Sequence, residues 1–216
     1  MPSTVVLGAG PGLGIASARA FARSGHGVGL VARSAERVAA AVDELRAAGH
    51  RAHGRAADAA DPEGLAAALR ELVGELGGLD VLHHNVSRFR AGGVAGTAPG
   101  DLADDLAAGA VSLLTAVRAV LPELEATTGT VLATGSGAAD RPPADALTLG
   151  PQKAALRALV HALAADLAPR GVAVRTLTVR GVIAPGTAFD PDRIAARLAA
   201  LAADPAASPV ESDYSG

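Results

Sequence analysis

Val5-Val6-Leu7-Gly8-Ala9-Gly10-Pro11-Gly12-Leu13-Gly14 is the stretch that decides the fold. An apolar run followed by glycines and a helix-forming segment predicts a β-strand, a tight turn and the start of a helix. Glycines in such a turn let backbone N–H groups approach a pyrophosphate, and the helix N-terminus favours its negative charge. Gly8, Gly12 and Gly14 follow the spacing Gly-x-x-x-Gly-x-Gly, whereas Gly-x-Gly-x-x-Gly fails at Leu13. The stretch therefore predicts a dinucleotide site, with a purely structural turn as the alternative.

Outward from this stretch, strand-like and helix-like segments alternate along the chain. Strands are predicted at Thr4–Leu7, Val28–Val31, Arg51–Arg55, Leu79–His83, Thr130–Ala133 and Val172–Val179, with a short edge strand within Pro209–Tyr214. Helices are predicted at Leu13–Arg23, Ala35–Ala48, Pro62–Leu76, Pro99–Leu121 (interrupted at Gly109, as one helix or two pieces), Pro151–Leu167 and Pro191–Ala203. Such alternation favours a parallel sheet with helices on both faces. We expect a single α/β domain over residues 1–216, a Rossmann-like doubly wound sheet of about seven strands.

Length and composition limit the class of protein. The 216 residues, half of them hydrophobic, suffice for one well-buried core. A net charge of −3 without a basic stripe argues against nucleic acid as a partner. Cysteine is absent and the six histidines lack paired-ligand spacing, so no disulfide or metal site is predicted. Every apolar run is too short to cross a bilayer, and we expect a soluble, cytoplasmic protein without a membrane partner.

The end of the second predicted strand distinguishes between the two nicotinamide cofactors. An acidic side chain there binds a free ribose 2′-hydroxyl, whereas an arginine accommodates a 2′-phosphate. This chain has Ala32 at the acidic place, followed by Arg33 and Ser34. These residues favour NADP(H). The alternatives for Arg33 are a solvated position at the helix start and an ion pair with Glu36.

The chain resembles the short-chain dehydrogenase/reductase family from Val5 to about Gly181. The resemblance rests on the glycine stretch, on Ala57-Asp58, on Asn85-Val86-Ser87, and on Ser136 followed by Lys153 at the family's spacing. It implies that Asp58 contacts the adenine, that Lys153 holds the nicotinamide ribose and that Ser136 polarises a substrate carbonyl. The implied cofactor-binding residues are Gly8, Gly12, Leu13, Gly14, Arg33, Ser34, Asp58, Asn85 and Lys153.

Two positions depart from the family pattern. Leu149 stands where the family has the tyrosine that donates or accepts a proton. Gly109 stands where the family has an asparagine that organises a water relay. Lys153, one helical turn after Leu149, can still hold a ribose but has no tyrosine whose pKa it would lower. Because a positioned acid contributes about 10²–10⁴ in rate, carbonyl reduction without one would be slow.

Another group would have to supply the proton. The leading candidate is His84 at the end of the fourth predicted strand, because an imidazole with a pKa near 6.5 transfers protons around neutrality. A satisfied structural histidine is the alternative. Further candidates near the predicted cleft are His83, Arg88, Arg141 and Asp145. Tyr214, the only tyrosine, either reaches an active site or is an exposed tail residue.

The substrate side departs from the family as well. Arg180-Gly181 replaces the family's Pro-Gly after the sixth strand. Two roles are open for Arg180: contact with an acidic substrate or the cofactor phosphates, and a plain surface position. The segment Val182–Asp190 is shorter than the family's helical lid, which predicts a shortened substrate lid around residues 182–190 and an open pocket.

Three functions remain compatible with these residues. The first is an NADP(H)-dependent oxidoreductase acting on a carbonyl or hydroxyl of a small organic molecule. The others are a non-redox enzyme of specialised biosynthesis (cyclase, dehydratase or isomerase) and a catalytically silent nucleotide-binding homologue. Ser136, Lys153 and Arg33 favour the first over the third, whereas Leu149 and Gly109 favour the second over the first. Fold-level inheritance leaves the first ahead.

A self-assembly is implied by the resemblance, because family members commonly pair through their fourth and fifth major helices. Ala154–Leu167 has apolar residues on more than one face, as expected for burial against both the sheet and a partner. We expect a homodimer or homotetramer.

Overall fold

The computed structural model describes the whole chain, Met1 to Gly216, and contains one sheet of seven parallel strands. The strand order is β3-β2-β1-β4-β5-β6-β7. The strands are β1 Ser3–Leu7, β2 Gly27–Ala32, β3 Ala52–Ala56, β4 Val81–His84, β5 Thr130–Ser136, β6 Ala173–Val179 and β7 Glu211–Tyr214. Leu7 pairs with both Val31 and His84, so strands β2, β1 and β4 end at one edge of the sheet. The predicted Rossmann-like α/β fold is confirmed.

Helices cover both faces of this sheet. They are α1 Leu13–Arg23, α2 Ala35–Ala47, α3 Pro62–Leu76, α4 Pro99–Leu106, α5 Ser112–Ala119, α6 Leu121–Thr127, α7 Leu149–Leu167 and α8 Pro191–Ala203. One core packs α3, α5, α6 and α7 on one face, and a second core packs α1, α2 and α8 on the other. No single helix has the length and hydropathy of a membrane span; Pro99–Ala119 and Leu121–Thr127 meet those criteria only as a pair bent by 65°.

Three helices have the predicted bounds, namely α1, α3 and α8. Capping explains two of them. Asp61 accepts hydrogen bonds from the backbone N–H groups of Glu63 and Gly64 at the start of α3, and Pro62 occupies the first turn. Asp190 caps α8 in the same way, with Pro191 next. A side-chain cap followed by proline fixes a helix start locally, so sequence alone locates it.

The region Pro99–Leu121, predicted as one helix or two pieces interrupted at Gly109, consists of two α-helices, α4 and α5. A π-helical turn at Ala107–Val111 joins α4 to α5, and Gly109 lies within it. Val120 then leaves the helical conformation with φ −128°, and α6, which was not predicted, follows. Strand β5 also continues past the predicted Ala133 to Ser136, because Gly135 and Ser136 pair with Thr178 and Val179.

Candidate active site

The glycine turn after β1 is closed on its protein side and open on its outer side. Gly8 has φ +92°, and a Cβ there would lie 2.7 Å from the carbonyl group of Asn85. A Cβ on Gly14 would lie 2.3 Å from the carbonyl oxygen of Gly8, so α1 packs directly on the turn. Gly12 has φ +88°, and its Cβ position has no neighbouring atom within 4 Å. The open side lies at the N-terminus of α1, where backbone N–H groups favour an anion.

A cavity of about 360 Å³ lies over the carboxyl ends of β1, β2 and β4. Open α/β sheets bind their ligands at this edge. Five of the predicted cofactor residues line it: Gly8, Arg33, Ser34, Asp58 and Asn85. Gly12 lines an adjoining groove of about 690 Å³, whereas Leu13 and Gly14 are buried in the first turn of α1.

Two arginines at the start of α2 line this cavity. Arg33 was predicted there, and Arg37, one helical turn later, was missed although its spacing places it on the same side. Both are exposed, and neither forms an ion pair, so the alternative pairing of Arg33 with Glu36 is not seen. The hydroxyl of Ser34 accepts a hydrogen bond from the backbone N–H of Arg37 at 3.3 Å and caps the helix. Two unpaired guanidinium groups therefore stand beside a capped helix N-terminus.

Asn85 and Asp58 form opposite walls of the cavity. The Asn85 amide donates to the carbonyl oxygen of Gly8 at 3.0 Å and ties the end of β4 to the glycine turn. Both oxygens of Asp58 accept hydrogen bonds from the Arg88 guanidinium, at 3.2 and 3.3 Å. Arg88, one of the further candidates for proton transfer, is thus bound to Asp58 at this cavity.

Lys153 is the only lysine of the chain, and the other residues of the lysine and arginine total are all arginines. It is buried at the first turns of α7, and its ammonium donates to the carbonyl oxygens of Thr134 at 3.1 Å and Val86 at 3.5 Å. Burial lowers the pKa of Lys153 to about 8. Two of its three N–H groups are used, which leaves one for a ligand hydroxyl.

The burial of Lys153 predicts a measurable effect of alkaline pH on stability. An unfolded lysine has a pKa near 10.5, so the unfolded state binds more protons than the folded state between pH 8 and 10.5. The free energy of unfolding should rise over this interval, by at most about 3 kcal/mol from this group. We expect Lys153→Met to flatten that rise in denaturant titrations. An identical rise in the variant would contradict the assigned pKa.

Ser136 lies at the end of β5, on a second cavity of about 750 Å³. Its hydroxyl oxygen accepts a hydrogen bond from the backbone N–H of Ala138 at 3.2 Å, so the hydroxyl proton is free to be donated. Lys153 binds the same strand two residues earlier, at Thr134. The structure therefore brings the two predicted catalytic residues of β5 and α7 to one end of the strand.

Leu149 begins α7 and is half-buried. The hydroxyl of the preceding Thr148 donates a hydrogen bond to the buried carboxylate of Asp105 at 2.7 Å. This bond anchors the start of α7 to α4. Arg90 binds Asp105 as well, at 3.4 Å. The helix start is thus rigidly placed, but the leucine side chain contributes no group that exchanges a proton.

Arg180 is neutralised within the second cavity. Its guanidinium binds Asp140 and, at 2.8 Å, Asp213. Asp140 also binds Arg157 at 2.6 Å, and these two guanidinium groups hold the pKa of its carboxyl well below the usual range. Arg141 lines the same cavity and has no ion-pair partner. The uncommitted positive charge beside Ser136 is therefore that of Arg141.

His84, the leading candidate for proton transfer, lies in the interior instead of the cleft. His83 and His84 are both fully buried, and their Nε2 atoms lie 3.0 Å from the Thr134 hydroxyl and 2.8 Å from the Ser112 hydroxyl. Burial lowers the pKa of each to about 3, and the Lys153 charge adds to the effect on His84. Both rings are therefore neutral at pH 7 and lack access to a substrate. This position favours the structural alternative.

Tyr214 lines neither cavity. It lies in β7, where its hydroxyl donates to the carbonyl oxygen of Ala188 at 3.0 Å and its ring packs edge-on against Phe189. The segment from Arg180 to Asp190 contains no helix. Tyr214 therefore fixes this segment against the sheet and is not placed to donate a proton near Ser136.

Comparison with known proteins identifies the family. The family model described as short chain dehydrogenase matches residues 3–190. An uncharacterized oxidoreductase from Mycobacterium tuberculosis is 35% identical over 168 residues, which cover 77% of this chain and 64% of that protein. The chain spans less than two thirds of the first curated relatives that it matches.

Solved structures agree with this match over nearly the whole chain. A short chain dehydrogenase from Burkholderia cenocepacia J2315 in complex with NADP is 28% identical, with a TM-score of 0.90, and the match covers 100% of this chain and 96% of that one. A metagenomic short-chain oxidoreductase in complex with NADP is 27% identical, with a TM-score of 0.88 and coverage of 100% and 98%. The chain is a member of the short-chain dehydrogenase family.

Proposed function

We propose that this protein is an NADP(H)-dependent oxidoreductase that acts on a carbonyl or hydroxyl group of a small organic molecule, with an atypical active site. The observation that carries the proposal is the pair of unpaired arginines, Arg33 and Arg37, on the cavity beside the glycine turn. Two similar solved structures contain NADP, which supports the same choice of cofactor.

The residues present fit NADP(H). The open side of Gly12 leaves room for a pyrophosphate at the N-terminus of α1. The positive charges of Arg33 and Arg37 are opposite to that of a 2′-phosphate. A guanidinium also has the geometry to bind phosphate through two parallel hydrogen bonds. The remaining N–H of Lys153 suits a ribose hydroxyl. No acidic residue stands at Ala32, where a 2′-hydroxyl would be recognised.

The chemistry divides among few groups. When bound, the nicotinamide would supply or accept a hydride. Ser136 donates a hydrogen bond to a substrate carbonyl oxygen and stabilises the negative charge that develops there. Lys153 is held by the carbonyl oxygens of Thr134 and Val86 and positions the ribose next to β5. Leu149 supplies no proton, so the final protonation falls to solvent and the rate is expected to be low.

Removal of Arg33 and Arg37 tests the cofactor assignment. We expect Arg33→Ala and Arg37→Ala each to weaken NADPH binding by about 10-fold or more, because each removes a charged hydrogen bond worth about 1.5–3 kcal/mol. NADH lacks the 2′-phosphate, and its affinity should change less than 2-fold, to within about 0.4 kcal/mol. Fluorescence titration of both cofactors measures the difference, with Arg70→Ala as the control because Arg70 is exposed on α3 and outside the cavity.

Other outcomes separate the competing functions. Equal weakening of NADPH and NADH would contradict a 2′-phosphate site at these arginines. Binding of NADPH without its oxidation by any of a panel of ketones would favour the non-redox enzyme or the silent homologue. No binding of either nucleotide would remove the basis of the proposal.

A further inference from the structure

The buried turn at Gly109 is filled by a side chain from another helix. A Cβ placed on Gly109 would lie 2.3 Å from both Cγ and Cδ of Gln152 and 2.5 Å from its Oε1. Gln152 is fully buried in α7, immediately before Lys153. Gly109 is therefore the residue that leaves room for the Gln152 carboxamide, since any larger residue would overlap it.

The Gln152 carboxamide holds the backbone of Arg88 by both of its polar groups. Its oxygen accepts hydrogen bonds from the backbone N–H of Arg88 at 3.3 Å and from the Ser87 hydroxyl at 3.1 Å. Its nitrogen donates to the carbonyl oxygen of Arg88 at 3.3 Å. The carboxamide itself is fully buried, and exchange of its oxygen and nitrogen would set donor against donor and acceptor against acceptor at Arg88, so one orientation is favoured. Gln152 thus fixes the segment after β4 at Arg88.

From this fixed backbone the Arg88 side chain crosses the nucleotide cavity. Arg88 follows β4 and Asp58 follows β3, and in the sheet these strands are separated by β1 and β2. The ion pair between them therefore passes over the carboxyl ends of β1 and β2, which form the cavity floor. The Arg88 side chain is 23% exposed. Its charge is balanced by Asp58, so it differs from the unpaired Arg33 and Arg37 in the same cavity.

We propose that Arg88 is a cofactor-binding residue that stacks its guanidinium plane on the adenine of the bound nucleotide, with Asp58 anchoring the Nη2 end of that group and Gln152 as its positioning residue. The Nη2 end of this guanidinium is anchored by both oxygens of Asp58; a guanidinium is planar, and nucleobases stack on such planar faces. The inference rests on the proposed function, because it assigns the base end of the same NADP(H) site.

Binding of adenosine 2′,5′-bisphosphate tests the inference without chemistry at the nicotinamide. We expect Arg88→Ala to weaken this ligand and NADPH by about 5- to 100-fold, the range found when a stacking side chain is removed. Arg88→Lys should lose nearly as much, because an ammonium has no plane. Reduced nicotinamide mononucleotide, which has no adenine, should bind both variants and the wild type equally. Arg70→Ala is the matched control.

A double-mutant cycle tests the positioning role of Gln152. Gln152→Ala should weaken adenosine 2′,5′-bisphosphate in the wild-type background but have little further effect in Arg88→Ala. Equal effects in both backgrounds would show a merely structural glutamine and overturn its assigned role. Unchanged or tighter binding by Arg88→Ala would overturn the stacking role, and tighter binding would show that the ion pair obstructs the site. If the wild-type protein binds neither NADPH nor the bisphosphate, the proposed function itself fails.

Discussion

Leu149→Tyr is expected to raise the rate of ketone reduction by the NADPH-bound protein about 10²- to 10⁴-fold, the usual contribution of a positioned general acid. Residue 149 begins α7, one turn before Lys153, so a phenol there would lie on the same side of the helix as the ammonium. That ammonium would lower the phenol pKa. Ser136, at the end of the neighbouring strand, already has a free hydroxyl proton.

Rates of NADPH oxidation with a panel of small ketones measure this gain. Leu149→Phe is the matched control, since it adds the aromatic ring without the hydroxyl. The pH profile of Leu149→Tyr should show a group that must be protonated for reduction, and Lys153→Met should move that profile to higher pH in the double variant. Equal rates for the tyrosine and phenylalanine variants would show that a substrate carbonyl does not reach residue 149.

Acidification is expected to destabilise the protein because His83 and His84 are buried in neutral form. Burial lowers the pKa of each from 6.5 to about 3, so below pH 6.5 the unfolded state binds protons that the folded state does not. The free energy of unfolding therefore falls as the pH is lowered. From pH 6.5 to about 4.5, each histidine should remove about 2–3 kcal/mol. Together they amount to a large part of the stability of an ordinary domain.

Denaturant unfolding at several pH values between 4.5 and 7.5 measures this loss. His84→Gln keeps a donor toward the Ser112 hydroxyl and removes the titrating ring, so its stability should fall less steeply with acid than that of the wild type. His50→Gln, at a partly exposed position after α2, is the control for loss of an imidazole as such. A slope in His84→Gln as steep as in the wild type would show that His84 titrates equally in both states.

Local signals in the sequence predicted most of the fold. Asp61 with Pro62 and Asp190 with Pro191 mark helix starts through caps that involve only neighbouring residues. The glycine turn was located by the same kind of local requirement, because Gly8 and Gly12 have positive φ. The missed α6 follows a break at Val120 that no glycine marks, and the π turn at Gly109 depends on α7 packed against it.

The sequence by itself determined the alternation of strands and helices, the glycine turn and the place of Arg33 after β2, because each depends on local pattern. Ser136 and Lys153 were assigned through the family resemblance. Only the tertiary structure decided that His84 is enclosed, that Arg88 reaches Asp58 across two strands, and that Gln152 fills the space at Gly109. These contacts join segments that are distant in the chain. The burial of a side chain and its distance from another strand are set only when those segments pack together, so local sequence patterns do not reveal them.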